Sequence, residues 1–314
     1  HQKEEKFFRK IYPNTLRVQG KDIVRTWLYY SMLRCYQLTG DMPWEGAWVM
    51  GYVVDEKGRK MSKSKGNVVD PMPILEANGS DNFRFWSASE ATLGSDYRFS
   101  EQKLHGSGKF LTKLWNIARF ISSFPQPKTA KLTNTDKWIV TELSKLIIDC
   151  RRAYEEFNFF IPANRIREFI WNIFADHYIE MVKPRAYGET DFIKDEKEAS
   201  WYTLHFCLKI LLQLLAPITP FITDFVYTKL YGEESIHKMN FPAAKLRRYQ
   251  DQPRIEEMTK KIIEFNSKIW NEKKAKGLSL KEEMKIEVPA DLKKFARDLE
   301  KAGYQVAKIT SREV

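Results

Sequence analysis

Apolar positions recur along this chain at two different periods, and the change from one to the other divides it. Near the beginning, short β-branched and aromatic runs are bounded by turn residues. Tyr12-Pro13-Asn14 precedes Leu16-Arg17-Val18, and Trp44-Glu45-Gly46-Ala47-Trp48-Val49-Met50-Gly51-Tyr52-Val53 follows later. Each run predicts a strand. Between them Ile23, Trp27, Leu28 and Met32 fall on one face of a predicted helix, and after Pro71 a helix carrying Ile74, Leu75 and Ala77 stops at Asn78-Gly79. A further helix is capped by Ser80-Asp81 and continues through Phe83-Arg84-Phe85-Trp86, whose aromatic residues read as core.

From Lys103 onward the helical period takes over. Apolar stripes run through Leu111, Leu114, Trp115, Ala118 and Ile121, then Trp138, Ile139, Leu143, Leu146 and Ile147 behind Asp136 as a cap, then Ile166, Phe169, Ile170, Ile173, His177 and Met181. A last long helix is predicted over 199–215. Pro125-Gln126-Pro127, Pro162-Ala163-Asn164 and Ala216-Pro217-Ile218-Thr219-Pro220 separate them, and long up-down helices joined by such short turns form a bundle. Gly106-Ser107-Gly108-Lys109 lacks the earlier glycine and the following hydroxyl residue of a phosphate loop, and reads as a flexible joint at a domain boundary. His177, on an apolar stripe, reads as a hydrogen-bonded core histidine. Beyond a polar linker over 247–253 come a helix from Ile255 to Trp270, a basic turn, a strand at 284–288, a helix at 292–301 stopped by Gly303, and a strand at 305–309. The fold class is therefore mainly α, with an α/β beginning and a small α/β appendage at the end. The expected divisions are residues 1–52, 53–105, 106–250 and 251–314.

Composition refines this picture in three ways. The 314 residues carry a net charge of +11 spread over the whole length, which favours a polyanionic partner. No apolar run approaches the ~20 residues that span a bilayer, and no secretory leader pattern opens the chain. Cys35, Cys150 and Cys207 lie far apart in apolar helical contexts, which predicts buried free thiols in a reducing, cytoplasmic compartment and no structural or catalytic metal.

The chemistry concentrates in one loop. Val53-Val54 leads into Asp55-Glu56-Lys57-Gly58, where glycine supplies the positive φ of a tight turn, and five cations follow between Lys57 and Lys65. Lysines alternate with Ser62 and Ser64, so ammonium and hydroxyl groups face one polyanion while Gly66 and Asn67 let the backbone bend around it. Upstream, Gly20 closes a strand and Asp22 opens a helix. That is how open α/β sheets hold a nucleotide at their strand ends, with N-capping by Asp22 as the alternative.

Lys60-Met61-Ser62-Lys63-Ser64, followed by Lys65-Gly66-Asn67-Val68, resembles the second signature of the class I aminoacyl-tRNA synthetases in every letter. The resemblance implies that Lys60 and Lys63 stabilise the pyrophosphate leaving group of ATP while an amino-acid carboxylate attacks the α-phosphate. Met61, Ser62 and Ser64 complete the ATP loop, with magnesium as the nucleotide's counter-ion. Gly20 and Asp22 look like the family's ribose-binding segment. Trp44 to Val53 resembles the last strand of its Rossmann domain, where main-chain groups at Val49 and Met50 contact adenine. Gly79-Ser80-Asp81 with Leu93-Gly94-Ser95-Asp96 resembles the module that carries the lysine loop and touches the inner bend of tRNA. Trp171 to Glu180 and Leu215 to Phe221 look like the anticodon-binding bundle of the valine, isoleucine, leucine and methionine members.

Within the class, Gln19-Gly20-x-Asp22-Ile23-x-Arg25-Thr26-Trp27 and Lys65 to Pro71 favour the valine branch, archaeal type. The partners implied are ATP, valine and the tRNA for valine, bound by a monomer, with no membrane or DNA. The sequence holds no His-x-Gly-His signature, first half of the nucleotide fold or editing insertion. It is therefore expected to be a C-terminal part of such a ligase, unable to form aminoacyl-adenylate alone. The isoleucine or leucine branch, a tRNA-binding module without chemistry, and a helical scaffold remain alternatives; the intact lysine loop speaks against the last two.

Overall fold

Helix α1 (Glu5–Ile11) precedes strand β1 (Asn14–Gly20), which passes through a 3-10 turn (Lys21–Ile23) and a π-helical turn (Val24–Leu28) into α2 (Tyr29–Thr39) and back to β2 (Trp44–Met50). The computed structural model describes residues 4–189, 192–232, 234–244, 252–279, 282, 284–302 and 306–307. Its contacts separate residues 1–107 with 153–161 from residues 108–152 with 162–314. In the first unit β1 and β2 run parallel, with Asn14 opposite Trp44 and Gly20 opposite Met50. A parallel pair needs a crossover, and α2 supplies it. The expected apolar face of that crossover is not buried: α2 has no buried residue, because two strands offer a surface too narrow to cover a helix. Trp27 is 53% exposed and is covered instead by the Arg17 guanidinium, 3.7 Å above its ring.

Strand β3 (Val53–Val54) pairs in parallel with β4 (Tyr97–Arg98) across α3 (Pro71–Asn78) and α4 (Ser80–Glu90). Helix α3 starts where Asp70 accepts a hydrogen bond from the Met72 amide at 3.0 Å with Pro71 at the first position, and Gly79 at φ +78° ends it. The aromatic residues of α4 are core as expected: Trp86, Phe99 and Leu104 pack together, with Met61, Val69 and Ile74 against them.

Helix α5 (Glu101–Ile121) runs straight through Gly106-Ser107-Gly108, where a flexible joint was expected. Leu104, Ser107, Phe110 and Leu114 are all buried at helical spacing, and that packing overrides the weak propensity of glycine. Trp115, placed by its spacing on the core stripe, is 42% exposed and stacks on Phe225, ring centroids 5.7 Å apart.

In the second unit α6 (Asn134–Glu155) is followed by α7 (Phe160–Glu168), a π-helical stretch (Phe169–Ile179), α8 (Glu180–Tyr187), α9 (Lys194–Leu215) and α10 (Pro220–Tyr231). The predicted stripe of α6 is buried throughout. Its start is a reciprocal cap: the Thr133 amide donates to Asp136, and the Asp136 amide to the Thr133 hydroxyl. Asp136 is thus the inner partner of the cap, and it also turns into the core toward Arg185. Helix α9 begins earlier than predicted because Glu196 accepts from the Ile193 amide at 3.1 Å. Helix α11 (Gln252–Ala275), expected within the appendage, packs along the bundle. Trp138 donates to Thr259 at 2.8 Å, Thr259 donates to Glu142, and the Asn266 amide meets His177 Nδ1 at 3.1 Å. Strand β5 (Met284–Lys285), helix α12 (Ala296–Lys301) and strand β6 (Val306–Ala307) complete the α/β part. Gly303 and the linker over 247–251 lie outside the described residues. Cys150 and Cys207 are buried free thiols, and burial pushes Cys150 up to about 12; Cys35 is only half-buried. No helix among the described residues is long and apolar enough to cross a membrane.

One buried histidine joins three segments of the bundle. His205 is buried, its Nε2 3.1 Å from the Phe124 carbonyl and its Nδ1 3.2 Å from the Tyr231 hydroxyl. Burial lowers its pKa, with only the Phe124 carbonyl opposing. A histidine depressed in the folded state favours folding above its unfolded value, ordinarily 6.5, and that contribution is lost as pH falls. The denaturant midpoint therefore drops between about pH 7 and 5, and His205→Gln flattens the drop; an unchanged slope in the variant would mean that this ring protonates freely.

Candidate active site

The carboxyl ends of β1 and β2 lie side by side, which puts Gly20 and Met50 in register and Val49 beside them. Gly20 is extended at φ −71°, and a Cβ there would sit 3.1 Å from Asp22 Oδ1, so the carboxylate folds back over bare backbone. Asp22 is not the cap of the turn, a place taken by Gly20, and the Tyr52 hydroxyl nearby helps to hold its carboxyl below the ordinary carboxylate range. Lys60 Nζ donates to that same hydroxyl at 3.2 Å and lies 4.3 Å from the Tyr52 ring centroid. Lys21 stands 5.8 Å from the ring and pairs with Asp96 at 2.8 Å, and Asp96 accepts from the Tyr52 amide at 2.7 Å. The cluster thus alternates cation and anion around one aromatic ring. The electrostatics agree from both sides: the Tyr52 hydroxyl, then the local backbone amide and the Lys60 charge, hold Asp22 below the carboxylate range, while Tyr52, then Asp22 and Asp96, raises Lys60.

Gly51 connects β2 to Tyr52, and only glycine fits there. A Cβ would fall 1.9 Å from the Ser95 carbonyl oxygen. The 94–96 loop lies that close because the Gly94 amide donates to the Val49 carbonyl at 3.2 Å.

The lysine loop leaves β3 through the expected turn. The Gly58 amide donates to the Asp55 carbonyl at 2.8 Å with Gly58 at φ +77°, and Lys60 returns to bridge Val54. Asp55 holds the loop closed. It accepts from the Lys57 and Arg59 amides, the Arg59 side chain at 2.8 Å, and Asn67 Nδ2 at 3.0 Å. These bonds, Asn67 first, draw its carboxyl down to about 2. Asn67 donates to the Lys60 carbonyl and accepts from the Ser62 amide at 3.0 Å, tying the two sides of the signature together. Ser62 and Ser64 pair through their hydroxyls at 3.2 Å, and the 3-10 turn Lys63–Lys65 ends on Gly66 at φ +64°. Met61 packs inward against Trp86, Phe99 and Leu104 and anchors the loop. Lys63 is exposed and makes no ion pair among the described residues. Of the residues singled out by the sequence, the structure gathers Gly20, Asp22, Met50 and Lys60 at one edge and leaves Lys63 on the outer turn. Tyr52, Asp55, Asn67 and Asp96 had drawn no separate role: Asp55 and Asn67 were legible as loop residues, whereas Tyr52 and Asp96 meet across 44 positions with no local signal.

The bundle presents a second kind of surface. Trp115 and Phe225 stack at 30°, with Arg119 and Lys229 lining the same groove. Phe120, Phe124 and Tyr187 form an edge-to-face cluster in which Tyr187 is 67% exposed and Lys183 lies 6.0 Å from the Phe120 ring.

Residues 1–100 match the family model for tRNA synthetases class I (I, L, M and V), and residues 136–288 that for the anticodon-binding domain of tRNA ligase. The chain is 42% identical over 304 residues to a valine-tRNA ligase of Aeropyrum pernix, covering 95% of this chain and 37% of that protein. It is 42% identical over 276 residues to the valine-tRNA ligase of Pyrobaculum aerophilum, covering 87% and 34%, and 38% identical over 287 residues to that of Nanoarchaeum equitans, covering 91% and 36%. The chain thus spans little more than a third of the length of these relatives. Among solved structures, a methionyl-tRNA synthetase of Mycobacterium tuberculosis in complex with methionyl-adenylate aligns at TM-score 0.64 and 20% identity over 77% of this chain and 50% of that one. The LeuRS of Agrobacterium radiobacter K84, in a ternary complex with tRNA and LeuAMS, aligns at TM-score 0.62 and 20% identity over 75% and 29%. Two successive domain matches and extended identity to the valine-tRNA ligases make this chain a member of the class I aminoacyl-tRNA synthetases.

Proposed function

We propose that this chain supplies the ATP loop and the anticodon-binding part of a cytoplasmic, monomeric valine-tRNA ligase, which activates valine as valyl-adenylate and transfers it to its tRNA. The observation that carries the reading is the seat of Lys60 on Tyr52, a 3.2 Å hydrogen bond to the hydroxyl with the ammonium 4.3 Å from the ring centroid, just past the carboxyl ends of β1 and β2, where an α/β sheet binds nucleotide. In this reading Asp22 accepts the ribose hydroxyls over Gly20, main-chain groups at Val49 and Met50 meet adenine, and Lys60 and Lys63 neutralise the departing pyrophosphate. Ser62 and Ser64 add hydroxyl donors once their mutual bond opens. Magnesium enters as the nucleotide's own counter-ion, because Asp96 beside the site is already paired with Lys21 and with the Tyr52 amide, and Asp22 is assigned to ribose.

On the bundle, exposed aromatic rings flanked by Lys and Arg suit unstacked bases next to phosphates. Binding of the valine tRNA, and of the same tRNA with altered anticodon bases, is measured at two salt concentrations. Affinity falls steeply with salt, with a log-log slope set by the number of phosphate contacts. The altered anticodon binds more weakly at both salts. Equal affinities for the two RNAs at both salts would remove the anticodon assignment and leave a merely basic surface.

A further inference from the structure

A single side chain, Asn67, bonds both flanks of Met61 in the lysine loop. Its Oδ1 accepts from the Ser62 amide at 3.0 Å, and its Nδ2 donates to the Lys60 carbonyl at 3.3 Å and to Asp55 Oδ2 at 3.0 Å. These partners fix which end of the carboxamide is which. Turned over, it would set its NH2 against an amide N–H and its oxygen against a carboxylate and a carbonyl. They also say why asparagine stands here: aspartate has the same shape but lacks both hydrogens, and it would face the Asp55 carboxyl, which is drawn down to about 2 and is ionised at neutral pH. The anchor behind Asn67 is firm. Asp55 follows directly on β3 and also accepts from the Lys57 and Arg59 amides and the Arg59 side chain. Lys60 bridges back to Val54, and Met61 packs against Trp86, Phe99 and Leu104. The backbone under Lys60 is thus held by the strand, by the buried Met61 and by the Asn67 carboxamide.

We propose that Asn67 is a positioning residue for adenylate formation: its carboxamide, backed by Asp55, holds the Lys60–Ser62 backbone so that the Lys60 ammonium meets the departing pyrophosphate. This rests on Lys60 as a phosphate group, as proposed above. A lysine is a long, freely rotating side chain, and it meets a transition state well only if its root is already in place. With the carboxamide intact, only the side chain has to be ordered when the charge develops. Without it, the Lys60 carbonyl and the Ser62 amide are released together, and backbone freedom is added to what must be ordered. A displacement of about 1 Å at such a site can cost on the order of 10²-fold in rate. Asn67 therefore touches neither substrate nor nucleotide and acts through Lys60.

The test is Asn67→Ala in the complete enzyme, made alone and together with Lys60→Ala. Alone, it lowers the kcat of valine-dependent ATP–pyrophosphate exchange about 10- to 100-fold, while the KM values for ATP and valine each move less than about threefold. The thermal midpoint does not move, because Asn67 is half-buried on a loop whose neighbours Gly66 and Val68 are exposed. Asn67→Asp, which keeps the shape and loses the donors, is at least as slow. In the Lys60→Ala background, Asn67→Ala changes the rate less than about twofold, because no ammonium is left to place. A full further loss in that background, or a loss that tracks a falling midpoint, would make Asn67 a plain support of the fold and overturn the proposal. Lys60→Ala alone separates this from the reading beneath it. Unchanged exchange there removes the active-site assignment itself, whereas a large loss there with no effect of Asn67→Ala removes only the positioning role.

Discussion

In the complete enzyme, Lys60→Ala and Lys63→Ala each lower the rate of valine-dependent ATP–pyrophosphate exchange on the order of 10²-fold or more, while the KM for valine moves far less. Negative charge accumulates on pyrophosphate as the α-phosphate bond breaks, so a cation that meets it contributes more in the transition state than in the ground state. The structure adds a distinction between the two lysines. Lys60 is held on the strand ends by Tyr52, and its carbonyl is gripped by Asn67, so its path toward the phosphates is short and defined. Lys63 sits exposed on the 3-10 turn between Ser62 and Gly66, with no ion pair among the described residues to hold it. Lys60→Arg therefore retains part of the rate, because a guanidinium can take the same seat on the Tyr52 ring. A kcat unchanged in both alanine variants would return the loop to an ordinary solvated surface.

What the sequence showed and what it concealed follow from range. Several local signals were sound: Gly58 at positive φ, the stop of α3 at Asn78-Gly79, and the buried stripe of α6 all depend on neighbours within one or two turns. The lysine loop was legible because its residues are contiguous. Errors arose where tertiary packing decides. The glycines of 106–108 lie inside a helix because their neighbours are buried, and Trp115 leaves the core because its partner is Phe225 on another helix. Tyr52 and Asp96 were silent for the same reason, since each acquires its role only when strand β4 comes to lie beside β3. The largest omission was electrostatic. Asp136 was read as a cap and Arg185 was passed over, yet their side chains are among the most deeply buried charges described.

Arg185→Met costs roughly 3–5 kcal/mol of stability near neutral pH, the penalty for leaving a buried charge without its partner. The guanidinium grips Asp136 through two bonds, Nη1 at 2.9 Å and Nη2 at 2.8 Å, and its Nε lies 3.2 Å from Asp298 Oδ1. Tyr178 and Thr133 donate to the same Asp136 carboxylate, each at 2.8 Å. Burial alone would raise the Asp136 pKa, but Arg185 and these hydrogen bonds overcome it and hold the carboxyl below its ordinary 3.8. For Asp298, farther from the guanidinium, burial wins and the pKa rises. A carboxyl depressed in the folded state stabilises it above the unfolded value and loses that contribution as pH falls below about 3.8. Removing Arg185 reverses the sign. Asp136 and Asp298 then repel each other with burial opposed only by hydroxyl hydrogen bonds, their folded pKa values rise, and the destabilisation shrinks as acid protonates them. Denaturant unfolding of wild type and Arg185→Met at about pH 7 and pH 5 therefore gives the larger difference at the higher pH. Replacing Asp136 by Leu in the Arg185→Met background recovers part of the loss, because one stranded charge leaves with its partner. A loss below about 1 kcal/mol, equal at both pH values, would mean that this pair behaves as an exposed ion pair does and that the bundle does not depend on it.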